Sequence, residues 1–368
     1  LRGIGLILAL LLCTVDAQAY VKEVSTRGQL STSYDDNVTF AYTNVTADVS
    51  QSLLAGLDLK LEGSRNKFLA QADVLHNLYM NNSSFNNMGV VFRASDLLEL
   101  SSRMHLNFLD NYERSEEPRS FDDAFGRNNG RYRTDKNNFY LGFELDVSSQ
   151  MLLEWTYRNE FIGYSRDDLD NSFLNQAGGR VQYAIDDANW VGLGYEFALR
   201  DFSSGTNITN NSLAVDFGHY FTKQLQLVLK VGEDFIDQDT FGRSQQTRYE
   251  ASLLNDLDET THASLRYRRG LNSSAYSKDL FDSYQVSASL SRELTRRITV
   301  SGAGFYGQGE YQQSNIHDEL LGVGAGINYA LSQHLKIGLN YSYSETVSNQ
   351  NVRSYRRNFV SVQTQLRF

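Results

Sequence analysis

The closing stretch NFVSVQTQLRF, residues 358–368, places Val360, Val362, Leu366 and Phe368 on one parity and Ser361, Gln363, Gln365 and Arg367 on the other. This is the two-residue period of a strand with one apolar and one wet face. The same pattern recurs from about residue 27 onward. Leu225, Leu227, Leu229 and Val231 alternate with Gln226 and Lys230, and Val191, Leu193, Tyr195 and Phe197 alternate with Gly192, Gly194 and Glu196. Leu335, Ile337, Leu339 and Tyr341 likewise alternate with Lys336, Gly338 and Asn340.

Short polar turns punctuate these stretches at 64–67, Ser95-Asp96, Ser148-Ser149, 186–189, Thr222-Lys223, 258–260, Thr295-Arg296 and 332–334. Between them stand longer connections rich in Asn, Asp and Ser, among them DDNVTFAYTN, NNSSFNN, SSGTNITNN, LNSSAYSKDLFD and YQQSNIHDE. Eight short turns alternating with nine long loops predict about 18 strands, with 16 as the alternative. The fold class that follows is all-β: a transmembrane, antiparallel, up-and-down β-barrel with short periplasmic turns and long outer loops. Rings sharpen the choice against a soluble sandwich. Phe197, Tyr267, Tyr306, Tyr341 and Tyr343 end the apolar face on the loop side, and Tyr183, Phe221, Tyr329 and Phe368 end it on the turn side, as two interfacial girdles would.

Composition agrees with this reading. The chain has 43 Tyr and Phe residues, 27 glycines and one proline, Pro118, which falls in a long loop where it interrupts no ladder. A mean hydropathy of -0.43 does not oppose a membrane barrel, whose wall needs apolar residues only at alternate positions. The N-terminal run LRGIGLILALLLCTVDAQAY is too short to span a bilayer as a helix, and Ala17-Gln18-Ala19 fits a cleavage site. Residues 1–19 are therefore expected to be a cleaved signal peptide and residues 20–368 the barrel, in the outer membrane of a Gram-negative bacterium. Cleavage would remove Cys13, the only cysteine, so no disulfide framework is expected. The net charge of -10 gives no reason to expect nucleic acid as a partner.

Candidate chemistry lies on the wet parity. Lys60, Arg103, Arg158, Arg180, Arg200, Lys230, Arg266 and Arg268, with Glu144, Glu196 and Asp216, are candidates to line a polar path, against the plainer reading of cross-strand ion pairs. Inward glycines such as Gly142, Gly192 and Gly218 are expected to leave lumen space. The longest loop, about 111–134, carries Arg114, Arg119, Phe121, Phe125, Arg127, Arg131 and Tyr132 as candidates to fold inward and narrow the pore. The terminal Leu366 and Phe368 resemble the signal by which the barrel assembly machinery recognises its clients. Six histidines show no Ser/His/acid or metal-ligand spacing, YDDN lacks the spacing of a calcium loop, and no enzymatic role or cofactor is expected.

YDDNV at 34–38, RNNGRYRTD at 127–135, GRVQYAI at 179–185 and GLGYEFALRDF at 192–202 resemble the putative beta-barrel porin 2 family. The resemblance implies an outer-membrane channel taking part in export of an exopolysaccharide or capsular polymer, with the polymer and its periplasmic export apparatus as partners beside lipopolysaccharide. The alternatives are a general diffusion porin for small hydrated solutes and a loop-driven surface protein. No catalytic residue carries over.

Overall fold

The computed structural model describes residues 21–116, 130–239, 242–258, 260–273, 280–312 and 314–368. The expected signal peptide lies outside them. Eighteen antiparallel strands form one sheet: β1 (Val21–Asp35), β2 (Asp48–Glu62), β3 (Asn66–Tyr79), β4 (Asn87–Ser101), β5 (Met104–Ser115), β6 (Thr134–Asp146), β7 (Met151–Tyr164), β8 (Ser172–Ala184) and β9 (Asn189–Phe202) make the first half. The second half is β10 (Asn207–Tyr220), β11 (Leu225–Gln238), β12 (Gly242–Asp258), β13 (Thr261–Ser273), β14 (Leu280–Thr295), β15 (Ile298–Tyr311), β16 (Ile316–Ala330), β17 (Leu335–Ser348) and β18 (Tyr355–Arg367). Each strand pairs with its sequence neighbours, and β1 pairs with β18, so the sheet closes on itself. Closure leaves no edge and satisfies every ladder internally, the condition for backbone in a bilayer. The seam runs to the last residue: the Thr26 amide donates to the Phe368 carbonyl (2.8 Å) and the Phe368 amide to that of Thr26 (2.9 Å).

The tight turns share one local cause. A hydroxyl or carboxylate at the first turn residue accepts amides two and three residues on, standing in for a backbone turn. Ser148, Thr222, Thr295 and Ser332 do this at 3.0–3.2 Å, and Asp186 accepts the amides of Ala188 and Asn189 at 2.8 Å. Bonds from the Asn189 side chain and these amides hold the Asp186 carboxyl below the ordinary range. The turn expected at Ser95-Asp96 is a correction: β4 runs through it, and the chain reverses at Ser102–Arg103, where Ser101 Oγ accepts the Arg103 amide (3.2 Å). SSGTNITNN likewise shrinks to 203–206, because its asparagines belong to β10.

Register fixes the faces. Leu193 lies opposite Val215, and Leu229 opposite Phe217, on an outer surface where Leu193 and Val215 are 54% and 56% exposed. The rings at the outer end of this band are anchored one strand over. Tyr157 Oη donates to Asn175 (2.8 Å), Tyr195 to Asn211 (2.7 Å) and Tyr341 to Asn358 (2.9 Å), all on the outer parity, as suits rings with an apolar body and a wet tip.

Candidate functional site: the lumen

The wall of β7–β10 is cross-braced by charge. Arg180 on β8 reaches Glu154 on β7 and, two strands away, Asp216 on β10, and its guanidinium lies 4.9 Å from the centre of the Trp190 ring. Glu160 on β7 receives Arg158 (2.6 Å) and Arg200 on β9 (2.8 Å), while Arg200 also donates to Ser172 Oγ (2.8 Å). A second brace, unforeseen in the sequence, joins Arg27 on β1 to Asp58 and Asp73, each at 2.8 Å. Asp73, Glu160 and Asp216 are all buried. Such pairs hold neighbouring strands at fixed spacing, because a carboxylate in that setting is costly without its cation.

The candidate lining residues divide accordingly. Lys60 pairs with Glu62 (2.9 Å), Arg266 meets Glu250 at 3.8 Å, and Arg268 donates to Gln285 (3.1 Å). Glu144, Glu196 and Lys230 share the lumen parity and form no ion pair with a described residue. Arg103 is a correction: it stands in the exposed turn between β4 and β5, on the periplasmic rim. The expectation of open space at the inward glycines also changes. A Cβ at Gly192 would come within 2.6 Å of the Asp216 carboxylate, one at Gly218 within 2.0 Å of the Trp190 ring, and one at Gly142 within 2.7 Å of Tyr140 Oη. These glycines make room for neighbouring side chains lying flat on the wall.

The wall of β14–β17 differs. Ser289, Ser291, Ser301, Gly324, Gly326 and Asn340 border a bay of about 630 Å³. Small hydroxyl, amide and glycine positions replace the arginine braces.

The outer mouth is lined by packed loop residues. The 36–47 connection turns inward: Val38 is fully buried, Phe40 packs edge-on against Tyr355 (5.3 Å between centroids), and Arg357 covers the Phe40 ring at 4.5 Å while pairing with Asp35 (2.5 Å). Asn37 pins this loop, donating to the carbonyls of Ala41 (2.9 Å) and Arg356 (2.8 Å). Phe40 adopts a left-handed backbone, φ 53°, which this packing stabilises. Arg353, in the 349–354 connection, is 1% exposed; it pairs with Asp318 (2.5 Å) and donates to Tyr311 Oη (3.0 Å). Phe281, Tyr311 and Ile316 form one apolar cluster there, and Phe202, Ile208, Ile236 and Leu280 form another.

Two of the long-loop candidates join this mouth. The Arg131 guanidinium donates to Tyr79 Oη (3.0 Å) and lies over the Tyr79 and Phe85 rings, and Tyr132 packs against Tyr164. Arg114 does not: it pairs with Asp135 (2.7 Å) on the outer parity of β5, a correction that follows from one residue of register. Arg119, Phe121, Phe125 and Arg127 lie outside the described residues. Asn37, Phe40 and Arg353 escaped sequence reading because loop residues reveal their partners only after closure brings the strand ends together. Leu366 and Phe368 face outward, Phe368 being 70% exposed beside the seam.

Closed, one chain thick and polar inside, the molecule is an outer-membrane β-barrel channel. The chain belongs to the family described as Putative beta-barrel porin 2, whose model matches residues 24–368. No curated protein matches it. Similar solved structures include the outer membrane protein OpdK of Pseudomonas aeruginosa (9% identity, 94% of this chain and 99% of that chain, TM-score 0.49). OccAB4 of Acinetobacter baumannii (11% identity, 94% and 98%, TM-score 0.48) and the siderophore receptor PirA of P. aeruginosa (10% identity, 93% and 80%, TM-score 0.45) are also similar.

Proposed function

We propose that the barrel is a diffusion channel for small hydrated solutes. The observation that carries this reading is the packed outer mouth, where Val38, Phe40, Tyr311 and Arg353 are buried among the ends of the strands, an arrangement that suits small solutes better than a polymer. An 18-stranded barrel encloses an aqueous interior unless loops fill it, and among the described residues the inward-packed loop contacts lie at the outer end. Liposomes carrying the purified barrel should swell in isosmotic solutions of small sugars and amino acids, and the rate should fall steeply with solute size. Liposomes that swell no faster than protein-free ones would refute the proposal.

Polymer export is the second reading. It rests on the family resemblance, and the feature of the barrel that favours it is the set of serines with Asn340 on the lumen face of β14–β17, groups able to exchange hydrogen bonds with sugar. Loss of surface polymer on deleting the gene, with unchanged uptake of small solutes, would make it the better account.

A further inference from the structure

At the periplasmic end of β14–β17 the lumen holds a cavity of about 660 Å³ bordered by Glu293, Arg296, Arg297, Asn328, Gln333 and Lys336. Three cations share it, and they differ from the arginines across the barrel. Arg158, Arg180 and Arg200 are each held by a carboxylate, whereas the side chains of Arg296, Arg297 and Lys336 form no ion pair and no hydrogen bond with a described residue. The three stand close together because of the register. The Ala330 amide donates to the Arg297 carbonyl (2.8 Å), Ala330 lies opposite Lys336, and both turn residues Arg296 and Arg297 follow directly on β14.

Neutral polar side chains complete the lining, those of Thr299, Asn328, Ser332 and Gln333. Thr299 faces Asn328 across the β15–β16 ladder. The lining therefore offers two forked guanidinium groups, one ammonium and several amide or hydroxyl donors against a single acid, Glu293. Guanidinium groups match planar or tetrahedral oxyanions bidentately, and a cation not already committed to the protein is free to do so.

We propose that this cavity is a binding subsite for the oxyanion of a small solute, a carboxylate or a phosphate, at the periplasmic end of the channel. It rests on the diffusion-channel reading and adds a solute class to it. A solute that has passed the outer mouth would be held at the inner opening by charge, and the three unpaired cations gathered in one cavity favour an anion there.

The test uses the purified full-length barrel and two probes, glutarate and inorganic phosphate. In planar bilayers, millimolar probe on the periplasmic side should produce transient current blockades. In the variant carrying Arg296→Gln, Arg297→Gln and Lys336→Gln the apparent affinity should fall by about tenfold or more, the scale of losing charge-assisted hydrogen bonds. Lys230→Gln, a lumen cation outside the cavity, should leave it unchanged. Blockade by glutarate alone would assign a carboxylate, and blockade by both probes a general oxyanion site. Calorimetric titration of the detergent-solubilised barrel with the same probes separates the two proposals. A barrel that conducts no current but binds glutarate through the three cations would overturn the channel reading and keep the subsite. Equal binding by the wild type and the triple variant, or no binding by either, would overturn the subsite. Heat-modifiable migration on gels confirms that each variant is folded.

Discussion

The wall of β7–β10 and the wall of β14–β17 are both antiparallel ladders, of 13–14 and 14–16 residues per strand, with an apolar outer face, and they differ in what their inner parity does with charge. On the first, Arg158, Arg180 and Arg200 are tied to Glu154, Glu160 and Asp216, and Gly192 and Gly218 yield their space to those side chains. On the second, serines, glycines and Asn340 leave a bay, and the cations gather unpaired at the periplasmic rim. The contrast teaches that charge in a lumen has two separable uses. Paired, it braces the sheet; unpaired, it is available to a solute. A count of inward charges from sequence cannot tell these apart, because pairing depends on which residues closure sets opposite one another.

Three substitutions test that division. The largest effect is expected at the mouth: Arg353→Ala strands the buried Asp318 carboxylate, and loss of about 3–5 kcal/mol is expected in urea unfolding from lipid vesicles. A loss within about 0.5 kcal/mol, the range of ordinary surface changes, would show that the pair is solvated. Next, Arg180→Ala should destabilise by about 3 kcal/mol, since it leaves both Glu154 and the buried Asp216 without a cation. Lys336→Ala on the other wall should cost less than about 0.5 kcal/mol. Equal costs for these two would erase the distinction between brace and free cation.

A smaller effect separates lumen from lipid. Leu229→Arg puts a cation on the lipid face at a depth where about 2 kcal/mol is expected, whereas Val228→Arg enters the wet lumen and should cost about 1 kcal/mol or less. Reversed costs would mean that the faces are exchanged. A last, modest effect has the opposite sign. Asp96 lies on the outer parity of β4, between Phe68 and Phe108, is 3% exposed, and neither carboxylate oxygen accepts a hydrogen bond from a described residue. Asp96→Leu should therefore raise the unfolding free energy by about 1 kcal/mol. Destabilisation by that change would imply a partner for the acid.

The strand pattern, most of the tight turns and the outer face were legible because each depends on local chemistry: a period of two, a capping hydroxyl, a ring at an interface. Ser95-Asp96 misled for the same reason. The pair has turn chemistry, and only the register of β3 and β5 shows that the strand continues through it, with the acid on the wall. Arg114 and Arg131 stand in the same long-loop segment and look alike in sequence. One residue of parity sends the first outward to Asp135, while closure brings the second over Tyr79. The mouth was the least legible part. Asn37 meets the carbonyl of Arg356, 319 positions away along the chain. Arg353 meets Asp318, 35 positions away, with no local signal for either contact.

The inward packing of the outer loops predicts a channel narrower at its outer mouth than at its periplasmic end. Polymer partitioning tests it most directly: single-channel conductance is recorded while graded uncharged polyethylene glycols are added to one side at a time. Polymers added on the periplasmic side should enter the lumen and lower the conductance up to a larger size than those added on the outer side, and replacing residues 38–46 by a Gly-Ser linker should bring the outer limit toward the periplasmic one. Equal size limits from both sides in the wild type, unchanged by the replacement, would contradict the account.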